Sequence, residues 1–368
     1  MKKLLFISFL IFFLVFLSSC ADKNVDKSST KPSEQTTTPQ VTKPSEQSTD
    51  TPVVTSPLTI KDYFSFKENT KYVYEGKGNE FASYTVLVDY LTERLVQLRT
   101  NNGGTETVKV LENKEGNLTM LLSRGETYFR ENLTTSPSTK VEILLKEPLI
   151  KGTTWTLSDN RKRYISNIEF EVTTPSGKYK TIEVTTEGKD DKILDYYAPN
   201  QGLVKTVFVS KGSEVSSTLS KIEKNSPLTQ TVKFYYPNVN ENKLYFVNKK
   251  LTFNTNDITK IIFEKAFKDL PKGNLGKVLG TNVKIKSLYL NKDKVVYVDF
   301  TKELVSEMNA GSSYESMILQ SITNTLGTYY GVEKVYITIE GNPYTSGHIV
   351  MKKGEVFTVN VKDAVELK

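Results

Sequence analysis

The 368-residue chain contains one cysteine and one histidine. A lone thiol excludes an intramolecular disulfide framework and any cysteine-based metal cluster. A lone imidazole removes most histidine-rich zinc sites and catalytic dyads, which need a second imidazole or a thiol. Charge of one sign is not in great excess: 49 Lys+Arg stand against 42 Asp+Glu, a formal +7. Lys2 and Lys3 fall in an acid-free leader, so the remainder carries +5. Spread over that length, this is too dilute for nucleic-acid binding. Gly-rich phosphate loops, nucleophile elbows and zinc signatures are also missing. The expectation is a chain that is not an enzyme, with no catalytic residue, metal or cofactor, and long enough for about two domains.

One long hydrophobic run is present, Leu4 to Leu17, broken only by Ser8 and preceded by Lys2-Lys3. It is too short to span a bilayer comfortably and reads as the core of an export signal. Leu17-Ser18-Ser19-Cys20 closes it in the order of a bacterial lipoprotein signal. There Leu17, Ser18 and Ser19 are the peptidase recognition residues and the Cys20 thiol takes the lipid. That the chain's only cysteine stands at this position supports the reading. Residues 1–20 are therefore expected to be a signal with lipidated Cys20. The rest would be held on the extracytoplasmic face of the cell membrane by acyl chains worth about 0.8 kcal/mol per buried methylene. Residues 21–57 contain no aromatic residue and repeat Thr30-Lys31-Pro32-Ser33-Glu34-Gln35 at Thr42 to Gln47. Such a Ser/Thr/Pro segment cannot bury enough apolar surface to order itself, and it reads as a disordered linker spanning on the order of 35 Å.

Residues 58–226 alternate short β-favouring runs with turn formers. Tyr84, Val86, Val88 and Tyr90 recur at period two, and Glu115-Gly116, Ser176-Gly177 and Asn200-Gln201-Gly202 punctuate other runs. The expectation is an all-β antiparallel domain, a half-barrel or sandwich, with no helix of ten residues. After Ser226-Pro227 the pattern mixes strands with two helices. The first is expected from Asn256 or Asp257 with an apolar face of Ile258, Ile261, Ile262, Lys265 and Ala266. The second is expected behind a Ser312-to-Glu315 capping box and to stop before Gly327. Thr231 to Tyr236 reads as a strand ending at Pro237. Leu244 to Val247 and Leu251 to Phe253 read as a short hairpin. Together these make residues 228–368 a two-layer α+β domain, and the whole chain α+β.

Several motifs in this second region carry a family likeness. They are Tyr235-Tyr236-Pro237, Val298-Asp299-Phe300, Ser313 with Glu315, Leu319 to Leu326, Val332 to Val335, Ile339-Glu340-Gly341 and Gly347-His348. In order and spacing, residues about 228–360 resemble the GerMN domain of sporulation and spore-germination lipoproteins. The resemblance implies a non-enzymatic envelope domain, similar in fold to the ring-building modules of secretion-type channels, at work between mother cell and forespore. The founding type carries two such domains in tandem; here a β-rich domain stands in place of the first.

Individually tempting residues read more plainly. Asp299 is read as a strand-end cap, His348 as a polar loop residue, and Asp190-Asp191 as a solvated turn with too few ligands for calcium. Two functions then compete. One is an anchored interaction or assembly module whose C-terminal domain meets a protein partner or itself. The other is a carrier holding lipid or cell-wall glycan in the β-rich domain. A deep aromatic-lined cavity between 58 and 225 favours the carrier; a solid core there with an exposed apolar or strand-edge surface on the C-terminal domain favours assembly.

Overall fold

The computed structural model describes residues 57–136, 138 and 141–367. The expected leader, Cys20 with Leu17, Ser18 and Ser19, and the linker up to residue 56 lie outside the described residues. A short helix, α1 (Ile60–Tyr63), precedes twelve strands: β1 (Lys71–Lys77), β2 (Tyr84–Leu91), β3 (Leu95–Asn101), β4 (Glu106–Lys114), β5 (Asn117–Arg124), β6 (Glu142–Lys146), β7 (Thr154–Thr156), β8 (Lys162–Thr174), β9 (Gly177–Glu187), β10 (Asp191–Ala198), β11 (Gly202–Ser210) and β12 (Ser213–Glu223). β1 to β6 and β7 to β12 are two antiparallel meanders. They join where β1 pairs with β12, giving one twelve-stranded sheet with β6 and β7 at its ends.

The sheet curls further than the expected half-barrel, because side chains bring its two ends together. Trp155 Nε1 on β7 donates to the Ile143 carbonyl of β6 at 3.0 Å. Arg163 on β8 donates to the same carbonyl at 2.8 Å and pairs with Glu142 at 2.8 Å. β6 and β7 are not paired through their backbones and remain the ends of the sheet, but these side chains tie one end to the other. The expected turn chemistry holds locally: Glu115 and Gly116 both have positive φ, 51° and 70°, as a two-residue hairpin with right-handed strand twist requires. Inward residues such as Val96, Leu145, Ile165, Val184 and Leu219 are fully buried, each contributing roughly 1.5–3 kcal/mol.

The C-terminal region begins with a long hairpin, β13 (Leu228–Asn238) and β14 (Lys243–Phe253). The expected break at Asn248 to Lys250 does not occur. Those residues stay in register opposite Lys233, Val232 and Thr231, and the turn falls instead at Val239 to Asn242. Then come α2 (Thr259–Lys268), β15 (Ile285–Leu290), β16 (Val295–Phe300), α3 (Glu303–Ser306), α4 (Ser312–Tyr330), β17 (Lys334–Ile339), and the short strands β18 (Asn342–Pro343), β19 (Phe357–Thr358) and β20 (Val365–Glu366). β15 to β18 form a second sheet in which β16 and β17 run parallel, with α3 and α4 supplying the crossover. Phe234, Phe263, Phe267, Phe300, Ile322 and Leu326 meet in one core.

Both helices depart from expectation. α2 buries Phe263, Ala266 and Phe267, while Ile258 and Ile261 are 54% and 48% exposed. Large aromatic rings outcompete the isoleucines for the core. α4 begins at Gly311 without a side-chain cap, and it runs through Gly327 to a left-handed Gly331. Gly327 does not stop the helix; a Cβ there would lie 2.2 Å from Val359 Cγ2, so the residue permits close packing.

Barrel and C-terminal region belong to one compact unit. Asn69 N–H donates to Thr255 Oγ1 at 2.8 Å, and Thr255 N–H returns a 2.8 Å bond to Asn69 Oδ1. Arg130, fully buried, also donates to both regions, to the Asp89 carbonyl of the barrel and to the Asn254 carbonyl beyond β14.

Candidate binding cavity

Because strand side chains alternate, half of each barrel strand points inward. In this barrel those inward residues do not fill the middle. They leave a cavity of about 420 Å³ to which β1 to β6, β8 and β10 to β12 all contribute. Its wall is rich in aromatic rings: Tyr63, Phe66, Tyr72, Tyr74, Tyr84 and Tyr197. α1 delivers Tyr63, held in place where Asn200 N–H donates to the Asp62 carbonyl at 2.7 Å. Tyr74 and Tyr84 stack at 4.6 Å, and Tyr74 Oη donates to the Leu203 carbonyl at 2.7 Å. Phe66 meets Tyr72 edge-on at 6.3 Å.

Burial pushes the hydroxyl pKa of Tyr63 and Tyr72 up to about 12, and raises those of Tyr74, Tyr84 and Tyr197 further. All five therefore keep their protons at neutral pH and act as ring surfaces and hydrogen-bonding groups, not as bases. A polar group interrupts the aromatic wall: Lys109, Glu142, Arg163, Asp195 and Thr206. Thr206 Oγ1 donates to Asp195 Oδ1 at 2.7 Å. Burial nevertheless raises the Asp195 carboxyl above its ordinary range, outweighing the Thr206 bond and the Arg163 and Lys109 charges. Lys109 and Arg163 face Glu142 and Asp195 here, so the cavity offers ring faces together with hydrogen-bonding groups.

Ligand pockets commonly enclose about 300–1,000 Å³. At about 420 Å³ the cavity is nearly three times the 150 Å³ void that accepts one benzene, which leaves room for roughly 15–20 non-hydrogen atoms.

The residues singled out in the C-terminal region have structural partners. Asp299 accepts from Thr338 Oγ1 at 2.6 Å and from Gly341 N–H at 2.8 Å, so it caps the Glu340-Gly341 turn after β17. His348 lies in a loop, with Nδ1 2.7 Å from Glu315 Oε2. Glu315, expected to cap α4, instead accepts from Tyr344 Oη at 2.8 Å and from Ser346 Oγ. Although burial opposes ionisation, the bonds from Ser346, His348 and Tyr344 hold its carboxyl below the ordinary value of 4.5. Asp190 is an exposed turn residue facing Lys211 at 3.6 Å. Among the described residues no group of three or more His, Cys, Asp or Glu is placed to hold a metal ion. None of their helices is long and apolar enough to cross a membrane.

The cavity's members were within reach of sequence reasoning only as a list of aromatics. In the sequence Tyr63, Phe66, Tyr72, Tyr74 and Tyr197 are separate aromatics in a β-rich stretch, and nothing local says whether they fill a core or line a cavity. Asp195, Lys109 and Arg163 carried no local signal, since each is one polar residue in an otherwise ordinary strand.

An antiparallel barrel followed by a mixed sheet and helices is thus the class of structure in hand. Residues 233–345 match the family model described as "Germane: Sporulation and spore germination", and this part of the chain is a domain of the GerMN family. The motifs that carry the likeness lie on β13, β16, α4 and the β17–β18 turn. Among solved structures, the tandem GerMN domains of the sporulation protein GerM from Bacillus subtilis share 22% identity at a TM-score of 0.27. That alignment covers 34% of this chain and 45% of the other, so the chain spans under half of that relative's length. The first GerMN domain of the same protein aligns at 22% identity and a TM-score of 0.26, over 33% of this chain and 94% of that one. A protein of YmcC-like fold from Bacteroides fragilis aligns at 14% identity and a TM-score of 0.29, covering 44% and 99%. Among curated proteins none matches.

Proposed function

We propose that this chain is a non-enzymatic, membrane-anchored extracytoplasmic lipoprotein of the sporulation or germination apparatus. In this reading the barrel carries a small ligand and the GerMN-family domain engages a protein partner. The observation that supports the carrier role is the cavity of about 420 Å³ with its aromatic wall and its group of polar side chains. Its size admits a single amino sugar or a short acyl fragment and is too small for a two-chain lipid. The hydrogen-bonding Asp195 and Thr206 beside flat tyrosine rings suit a sugar better than an alkyl chain, because a sugar presents both C–H faces and hydroxyls.

Titration calorimetry with N-acetylated amino sugars and with fatty acids tests this. Saturable sugar binding is expected. Met120→Trp, which fills the cavity from β5, should weaken it at least tenfold, about 1.4 kcal/mol, while leaving the melting temperature within a few degrees. If neither ligand class binds, the carrier role falls and the assembly role alone stands.

Anchoring is a separate matter, since Cys20 is outside the described residues. Cys20→Ser is expected to abolish incorporation of radioactive palmitate and to release the protein from membranes. Persistent labelling of that variant would refute the lipid attachment.

A further inference from the structure

The β13–β14 hairpin has two outer edges. That of β13 is covered by α4, where Tyr235 N–H donates to Thr325 Oγ1 at 3.0 Å. That of β14 is paired among the described residues at two positions only, where β20 runs parallel to Tyr245 and Phe246. Leu367 N–H donates to the Phe246 carbonyl at 2.9 Å, so the backbone of Phe246 points away from β13. The N–H and C=O of a strand residue point the same way, and the β13–β14 register runs unbroken from Leu228–Phe253 to Asn238–Lys243. Asn248, Lys250 and Thr252 must therefore also direct their backbone groups outward, along an edge that β20 has already begun to extend.

Beside this edge lies an open groove of about 550 Å³ between β14 and α2. Lys249 and Asp269 already pair across it at 3.0 Å, which leaves Lys250 and Lys265 as its cations, and half-buried Ile262 forms its apolar side. One turn back from Lys265 on the same side, α2 presents Ile261, which is 48% exposed. Part of the helix face whose spacing reads as core, Ile261 and half-buried Ile262, is thus open beside a strand edge that carries Lys250 and, among the described residues, is paired only at Tyr245 and Phe246.

We propose that this edge binds an extended acidic segment of a partner protein as an added strand. Main-chain bonds to Asn248, Lys250 and Thr252 give affinity, alternate apolar side chains rest on Ile262 and its neighbours, and acidic side chains meet the lysines. The proposal rests on the reading of the GerMN-family domain as the partner-binding part and is independent of the barrel ligand.

A fluorescein-labelled peptide of alternating Glu and Val tests it by fluorescence polarisation against the full-length protein in detergent. Saturable binding that weakens with salt is expected, with a Lys/Val peptide failing to bind. Lys250→Pro, which deletes one outward N–H and none that faces β13, should weaken binding at least tenfold. Lys250→Glu with Lys265→Glu should do the same and flatten the salt dependence. N-methylation of alternate peptide amides blocks strand addition without touching the protein and must abolish binding. Equal affinity of the N-methylated peptide, or no binding by the Glu/Val peptide, overturns the proposal. Met120→Trp should bind the peptide as the unaltered protein does, which separates this surface from the cavity.

Discussion

Replacing Arg130 with alanine is expected to cost about 3–5 kcal/mol of unfolding free energy, from buried acceptors left unpaired and a large void, the largest effect of any single substitution considered. Arg130 lies in the segment that follows β5, and its side chain is fully buried. It donates to Tyr90 Oη at 2.8 Å and to the Asp89 carbonyl at 2.9 Å in the barrel. It also donates to the Asn254 carbonyl at 3.1 Å and to the Asp257 carbonyl ahead of α2. Its guanidinium stacks 4.2 Å from the Tyr90 ring and 5.2 Å from the Phe253 ring. The main chain is held as well: Arg130 N–H donates to Tyr329 Oη at 2.8 Å, and Thr259 Oγ1 donates to the Arg130 carbonyl at 3.2 Å.

Alanine would leave those acceptors buried and unpaired and open a void between two rings. Lysine would not rescue it, because a point charge on a flexible stem cannot reproduce the planar fork or the stacking. Calorimetry checks this. The unaltered protein should unfold in one transition and Arg130→Ala in two, since the barrel and the C-terminal region have separate hydrophobic clusters, from Ile60 to Leu219 and from Leu228 to Tyr344. A single transition at an unchanged temperature would show that the other contacts suffice.

The second large effect is expected at Glu315. The residue is 2% exposed, and its carboxylate gathers Tyr344, Ser346 and His348 onto the first turn of α4. Glu315→Ala leaves the fully buried Tyr344 hydroxyl without its acceptor and frees the loop, at about 2–4 kcal/mol. The pH dependence has a defined sign. The folded pKa lies below the unfolded value, so the folded state binds this proton less readily. Its contribution is complete above pH 4.5, the ordinary glutamate value, and is lost as pH falls through the depressed folded value. Glu315→Gln should be less stable at neutral pH and lose less stability on acidification than the unaltered protein. Urea midpoints between pH 3 and 7 measure both; parallel curves for the two proteins would exclude the carboxylate as the acid-sensitive group.

The same residue shows how a sound local rule can mislead. Ser312 to Glu315 has the spacing of a capping box, but a carboxylate has few acceptor sites to give. Tyr344, Ser346 and His348, 29 to 33 positions further on, occupy them. Asp299 went the other way: a strand-end aspartate is expected to cap a turn, and it does, although the turn follows β17. In α2 the isoleucines satisfied helical spacing as well as the phenylalanines did. The choice between two faces of one helix depends on which side chains fill the volume under β13 and β14.

Taken alone, the order of residues determined the β-rich first part, its tight turns, the likeness of the C-terminal part to the GerMN family and the expected attachment at Cys20. Each of these depends on neighbours in the chain: side-chain alternation, left-handed turn residues, a short run beside a thiol. The tertiary structure decided the rest. Trp155 and Arg163 drawing the sheet ends together, the cavity left inside, Arg130 bridging to Asp257 across 127 positions and the open edge of β14 all depend on distant residues meeting. Such meetings are set by packing volume and by competition for hydrogen-bond acceptors, and neither is written in local periodicity.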